Sequence, residues 1–115
     1  MQFDFETFAA LVPEQIPGGF TRMEVLKVFR YYFQAYEDAF GKPHPPIRQA
    51  QIARIVAAMP YVYDNHGRDM YVTPECYPAM IDRHFCTEYC GDCDYNINHF
   101  FAGRIRELRL FETCF

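Results

Sequence analysis

No stretch of this chain approaches the ~18 consecutive uncharged apolar residues that a helix needs to cross a bilayer, so a membrane-spanning helix is excluded. An excess of positive charge is missing too. Eleven Lys and Arg face fifteen Asp and Glu, a formal charge of −4, which argues against a surface built to hold polyanions in general. Nine of the eleven bases are Arg, which leaves room for a local cationic patch. Residues 1–6 (MQFDFE) carry acid where a secretory signal has a basic start and an unbroken apolar stretch, and a cytoplasmic location is expected. There is no glycine loop to cradle phosphate, no nucleophile elbow and no H-E-x-x-H pair, so a non-catalytic protein is expected. Internal repeats, low-complexity tracts and blocks of one charge are absent as well.

What the chain does contain is apolar and aromatic mass. Half of its 115 residues are hydrophobic, with 12 Phe and 9 Tyr, far more than a chain that stays unfolded carries. That quantity closes one core, so residues 1–115 are expected to form a single globular domain. The expected class is mainly α with a small β component, a compact bundle of about five helices and one β-hairpin.

Hydrophobic spacing locates the elements. Phe5, Phe8, Ala9 and Val12 behind Asp4 suit a two-turn helix that Pro13 ends. Thr21 and Glu24 form a capping box, and Phe20 with Val25 can close a hydrophobic staple. Val25, Val28, Phe29, Tyr32, Phe33, Tyr36 and Phe40 then trace one buried face of a helix over 21–40, ended by Gly41 and Pro43. Pro46 suits the first turn of a third helix, 47–59, striped by Ile52, Ile55, Val56 and Met59. The runs 61–64 and 69–72 flank Asn65, His66, Gly67 and Arg68 and predict a hairpin. A fourth helix is expected from Pro78 to about Glu88. A last one, capped by Asp94 or Asn96, should turn Ile97, Phe100, Phe101, Ile105 and Leu108 inward, with Gly103 weakening but not breaking it. The expected core is Phe8, Val25, Phe29, Phe33, Ile52, Ile55, Val56, Phe85, Ile97, Phe101 and Ile105.

Three constellations bear on function. Cys90 and Cys93 form a C-x-x-C step that, with Cys86 or His84 and with His99, makes a candidate zinc site. The five cysteines are an odd set in a chain without an export signal, which favours reduced, non-ligating thiols. No cofactor is therefore expected, zinc being the alternative. The helix 21–40, the helix 47–59 and the hairpin follow the order of a winged-helix DNA-binding regulator. In that arrangement Arg48, Gln49, Gln51 and Arg54 would read the groove, with Arg68 at the wing tip. Finally, nine Tyr are more than a core of this size can hold with every hydroxyl satisfied, and Tyr and Arg dominate interface hot spots. Tyr31, Tyr36 and Tyr63, with the cationic edge Arg104, Arg106 and Arg109, are the candidate protein-binding residues.

Residues 42–47 (KPHPPI), 93–101 (CDYNINHFF) and 111–115 (FETCF) resemble small proteins encoded on bacterial plasmids and integrative mobile elements, over most of the chain. The resemblance implies a regulator of element replication or transfer, or an inhibitor of host defence such as an anti-CRISPR protein. Such proteins act by stoichiometric binding to a host or element protein, a Cas ribonucleoprotein included. A protein partner is thus expected first, nucleic acid second and a membrane not at all.

Overall fold

The computed structural model describes residues 5–16, 20–63, 69–89, 93–102 and 104–113. Among them are six α-helices, one short 3-10 turn and one two-stranded antiparallel hairpin, so the protein is mainly α. Their apolar side chains bury one cluster, from Phe8 and Val12 to Leu110.

Helix α1 (Phe5–Ala9) drops Phe8 onto Phe29 and Phe33 at ring separations of 4.7 and 5.1 Å. The guanidinium of Arg22 donates to the carbonyls of Ala9, the last residue of the helix, and of Val12 just beyond it. Helix α2 (Arg22–Phe40) begins as its sequence dictates. Thr21 Oγ1 accepts from the Glu24 amide at 3.1 Å, while Glu24 Oε1 accepts from the Thr21 amide at 2.8 Å. It ends on Gly41, whose φ of 69° lies in the left-handed region that glycine enters without a steric penalty. Val25, Val28, Phe29, Tyr32, Phe33 and Tyr36 face the core, but Phe40, the last of the predicted stripe, is exposed.

Helix α3 (Gln49–Ala58) starts two residues later than the proline pattern predicts. Arg48 stays extended and its amide is taken by the side chain of Gln51, so Ile47 is buried from an extended segment rather than from a helix. Strands β1 (Tyr61–Tyr63) and β2 (Asp69–Tyr71) pair with Tyr61 opposite Tyr71. The turn expected at Asn65–Arg68 lies outside the described residues. After a 3-10 turn (Pro74–Cys76), helix α4 (Tyr77–Phe85) carries Pro78 in its first turn, where no amide proton is needed. It stops three residues short of the expected end, and Thr87 just beyond it turns its hydroxyl back onto the Arg83 carbonyl at 2.7 Å.

The single last helix of the sequence reading is two. Asn96 caps α5 (Ile97–Phe100), and α6 (Ile105–Thr113) starts afresh. At about 100° per residue, an unbroken helix would hold Leu108 within about 20° of Ile97 and throw Arg106 to the opposite side. The break resets that phase. Leu108 is 47% exposed, while Arg106, Glu107, Arg109 and Leu110 are buried. Of the expected core, Phe85, Phe101 and Ile105 are only partly buried and pack around its edge. Its centre is filled instead by Tyr77, Met80, Ile81, Phe100 and Leu110 beside the predicted α2 and α3 residues. The most extensive helix packing joins α2 to α4 and α4 to α6.

Candidate protein-binding surface

The α2–α4 packing leaves two side-chain stripes facing outward along one groove. On α2 the stripe is Lys27, Tyr31, Gln34 and Asp38; on the other wall it is Pro74, Pro78, Asp82 and Cys86. Both follow from helical spacing of three or four residues. The groove has two adjoining hollows. The first, about 600 Å³, is lined by Val28, Tyr77, Pro74 and Pro78 and rimmed by Glu24, Lys27, Arg30 and Glu75. The second, about 460 Å³, is lined by Ala35, Ala39 and Phe85 beside Asp38 and Asp82, with no basic residue in its wall.

Tyr31 and Gln34 border both hollows. The Tyr31 hydroxyl donates across the groove to the Asp82 carboxylate, 2.8 and 2.9 Å from its two oxygens. That hydrogen bond, with burial and the carboxylate's charge, raises the tyrosine pKa above its ordinary value, so the hydroxyl remains a donor at neutral pH. Gln34 is held by Asp38 one turn on, at 2.9 Å. The floor is thus apolar, the rim polar, and one half-exposed aromatic side chain divides the two hollows.

Other candidate residues lie elsewhere. Tyr36 is 4% exposed and packs on the His44 ring, so it belongs to the core. Tyr63 is in β1, with its side chain outside the described residues. Arg104, Arg106 and Arg109 do not form the expected cationic edge, because the re-phased α6 turns two of them inward. Arg106 donates to the carbonyls of Ala58 and Tyr61 at 3.1 and 2.7 Å and to the Tyr77 hydroxyl at 3.1 Å, closing the end of α3. Arg109 binds the Thr87 hydroxyl and pairs with Glu112. Arg104 is exposed and grips the buried Glu107 with two nitrogens, at 2.9 and 3.1 Å. Gln49 and Arg54 are exposed on α3, Arg48 is exposed just before it and Gln51 is half-buried as its cap partner, while Arg68 lies outside the described residues.

Of the candidate metal ligands, the fold brings two together. Cys93 Sγ is 3.1 Å from His99 Nδ1, whereas Cys86 is exposed at the end of α4 and Cys90 lies outside the described residues. Among the described residues, no three His, Cys, Asp or Glu side chains converge as a metal ion requires. Beside this pair lies a buried imidazole that sequence reasoning weighed as a metal ligand and not as part of the core. His84 has its Nδ1 2.6 Å from the Tyr89 hydroxyl, its ring walled by Tyr32, Phe85, Tyr95 and Phe100, and its pKa pushed down to about 3, chiefly by burial. The signal for it was the i, i+3, i+4, i+7 spacing of Tyr77, Met80, Ile81 and His84. Comparison with protein families, curated proteins and solved structures finds no match to this chain. No helix among the described residues is long and apolar enough to cross a membrane.

Proposed function

We propose that this is a non-catalytic binding protein, an inhibitor or regulator that holds a helical segment of a partner protein in the α2–α4 groove. The observation that carries the reading is the position of Tyr31, half-exposed between two apolar hollows and bridged to Asp82. A large, stiff side chain with a polar tip, set at the centre of a groove, is the kind of residue on which interfaces concentrate their energy. Between Glu24 and Ala39 the groove runs for about 22 Å at 1.5 Å per residue, which accommodates about four turns of an amphipathic partner helix. The second hollow has only Asp38 and Asp82 as charged walls, so the partner helix carries Lys or Arg at that end. The mobile-element resemblance supports a host or element protein as the partner, with Cas ribonucleoproteins in that class.

A second reading, DNA binding through α3, is favoured by one feature: the helix and its N-cap expose Arg48, Gln49 and Arg54 and no acid. Against it, α2 packs chiefly on α4 and not on α3, unlike a supporting helix that braces a recognition helix. Affinity capture from a bacterial lysate, with and without nuclease, separates the two. The binding reading expects a nuclease-resistant protein partner that Tyr31→Ala weakens by about 30-fold, a hot-spot loss of ~2 kcal/mol, and that Arg54→Ala leaves in place. Recovery of nucleic acid alone, lost with Arg54→Ala, would overturn it.

A further inference from the structure

The half-buried pair Cys93 and His99 is absorbed neither by the groove nor by a metal site. Its sulfur sits 3.1 Å from His99 Nδ1 and 3.9 Å from Nε2, and it receives the Tyr95 backbone amide at 3.4 Å. The loop that presents it is braced at several points. Tyr95 has a φ of 55°, an uncommon backbone angle for a bulky residue. Its carbonyl accepts from the Tyr32 hydroxyl of α2 at 2.6 Å, and its own hydroxyl donates to the Thr87 carbonyl. One residue on, Asn96 caps the helix that contains His99. The sulfur and the imidazole are therefore held together by three separate parts of the fold, and neither depends on a flexible side chain to find the other.

We propose that Cys93 is a reactive thiol that exchanges with small disulfides, with His99 as its proton acceptor. As Cys93 Sγ attacks one sulfur of the disulfide, its proton passes to His99. The S–S bond of the small molecule breaks, a mixed disulfide forms on Cys93, and the departing thiolate takes the proton back from His99. The small disulfide is the oxidant, so the exchange needs no further electron acceptor. The backbone amide of Tyr95 is aimed at the sulfur, where negative charge develops before the new bond forms.

Cys86 makes the proposal testable within one molecule. It is exposed, whereas Cys93 is half-buried, so accessibility alone makes Cys93 the slower thiol. The full chain is treated with cystamine at pH 7, remaining thiols are blocked with N-ethylmaleimide, and chymotryptic peptides are read by mass spectrometry. Cleavage after Tyr89 separates Cys86 from Cys90 and Cys93, and fragment ions resolve the latter two. Cys93 is expected to form its mixed disulfide at least about tenfold faster than Cys86. His99→Gln keeps a hydrogen-bond donor near the sulfur but removes the proton acceptor; it should abolish that advantage while leaving the Cys86 rate unchanged. Cys93 reacting more slowly than Cys86 in the native chain would overturn the proposal, whatever the variant does. An undiminished Cys93 rate in folded His99→Gln would overturn the role of His99.

Discussion

His44 is a place where pH should act on this fold. The chain places it among prolines in the linker between α2 and α3, yet its ring is 1% exposed and ties that linker to the start of α5. Nε2 accepts from the Ile97 amide at 3.0 Å, so the ring's proton is on Nδ1, which donates to the Pro45 carbonyl at 2.7 Å. A second proton has no place, because it would turn the Ile97 acceptor into a donor facing a donor. Burial lowers the pKa from 6.5 to about 4, only partly offset by the Pro45 carbonyl and the charge of Asp94; Tyr32, Phe33 and Tyr36 face the ring from α2. Between about pH 6.5 and 4 the unfolded chain thus binds a proton at this site that the folded chain refuses, and stability falls as pH falls through that window. Above it the site contributes no slope; below it both states are protonated and the loss is complete. The difference of roughly 2.5 pKa units corresponds to about 3 kcal/mol. That is a large share of the ~6–17 kcal/mol that a chain of this length commands. The measurement is urea unfolding at several pH values for the native chain and for His44→Gln, whose side-chain carbonyl accepts the Ile97 amide without titrating. His84, also buried, adds its own acid sensitivity to both curves, so the difference between them isolates His44. The variant should start lower at neutral pH through imperfect packing and then lose about 3 kcal/mol less between pH 6.5 and 4. Parallel curves for the two proteins would refute the reasoning.

The part of the fold legible in the sequence was the part set by local rules. Thr21, Glu24 and Gly41 bound α2 because caps and left-handed stops act within a few residues, and the α2 stripe found its core because one long helix carries its own phase. The last third was not legible in the same way. Ile97, Phe100, Phe101, Ile105 and Leu108 make an acceptable single helical face, and nothing local announces that Arg106 will be wanted inside. That demand comes from the C-terminal end of α3 and from the Tyr77 hydroxyl, 48 and 29 residues earlier in the chain. A buried guanidinium satisfied by backbone carbonyls is a tertiary event, and hydropathy scores it as surface. The candidate site divides along the same line. Tyr31 was singled out by composition, together with Tyr36 and Tyr63, but Asp82, which completes the groove, is 51 residues away. Cys93 and His99, six residues apart and joined through a capped turn, were close enough in sequence to be singled out together.

Two predictions probe the C-terminal helix. Arg106→Leu leaves the Ala58 and Tyr61 carbonyls without their buried donor and should cost about 2–4 kcal/mol in urea unfolding, since lost acceptors outweigh the relief of removing a buried charge. A cost below about 0.5 kcal/mol would mean that water replaces the guanidinium there. The second separates the two possible phases of α6 directly by comparing Leu108→Ala with Leu110→Ala. In an unbroken helix from Ile97, Leu108 is the inward residue. In the observed break, Leu110 is 2% exposed and Leu108 is 47% exposed. Alanine suits a helix at either position, so backbone propensity favours neither variant and only the packing differs. Removing Leu110 deletes buried methyl groups at the base of α4 and α6, with an expected cost of about 2–5 kcal/mol. Removing Leu108 takes apolar surface out of solvent contact and should change stability by no more than about 0.5 kcal/mol. Urea midpoints read both, with the slope of each transition confirming that folded and unfolded states expose similar surface. A Leu108→Ala cost equal to or larger than that of Leu110→Ala would restore the single-helix phase, and with it Arg106 and Arg109 would return to the surface.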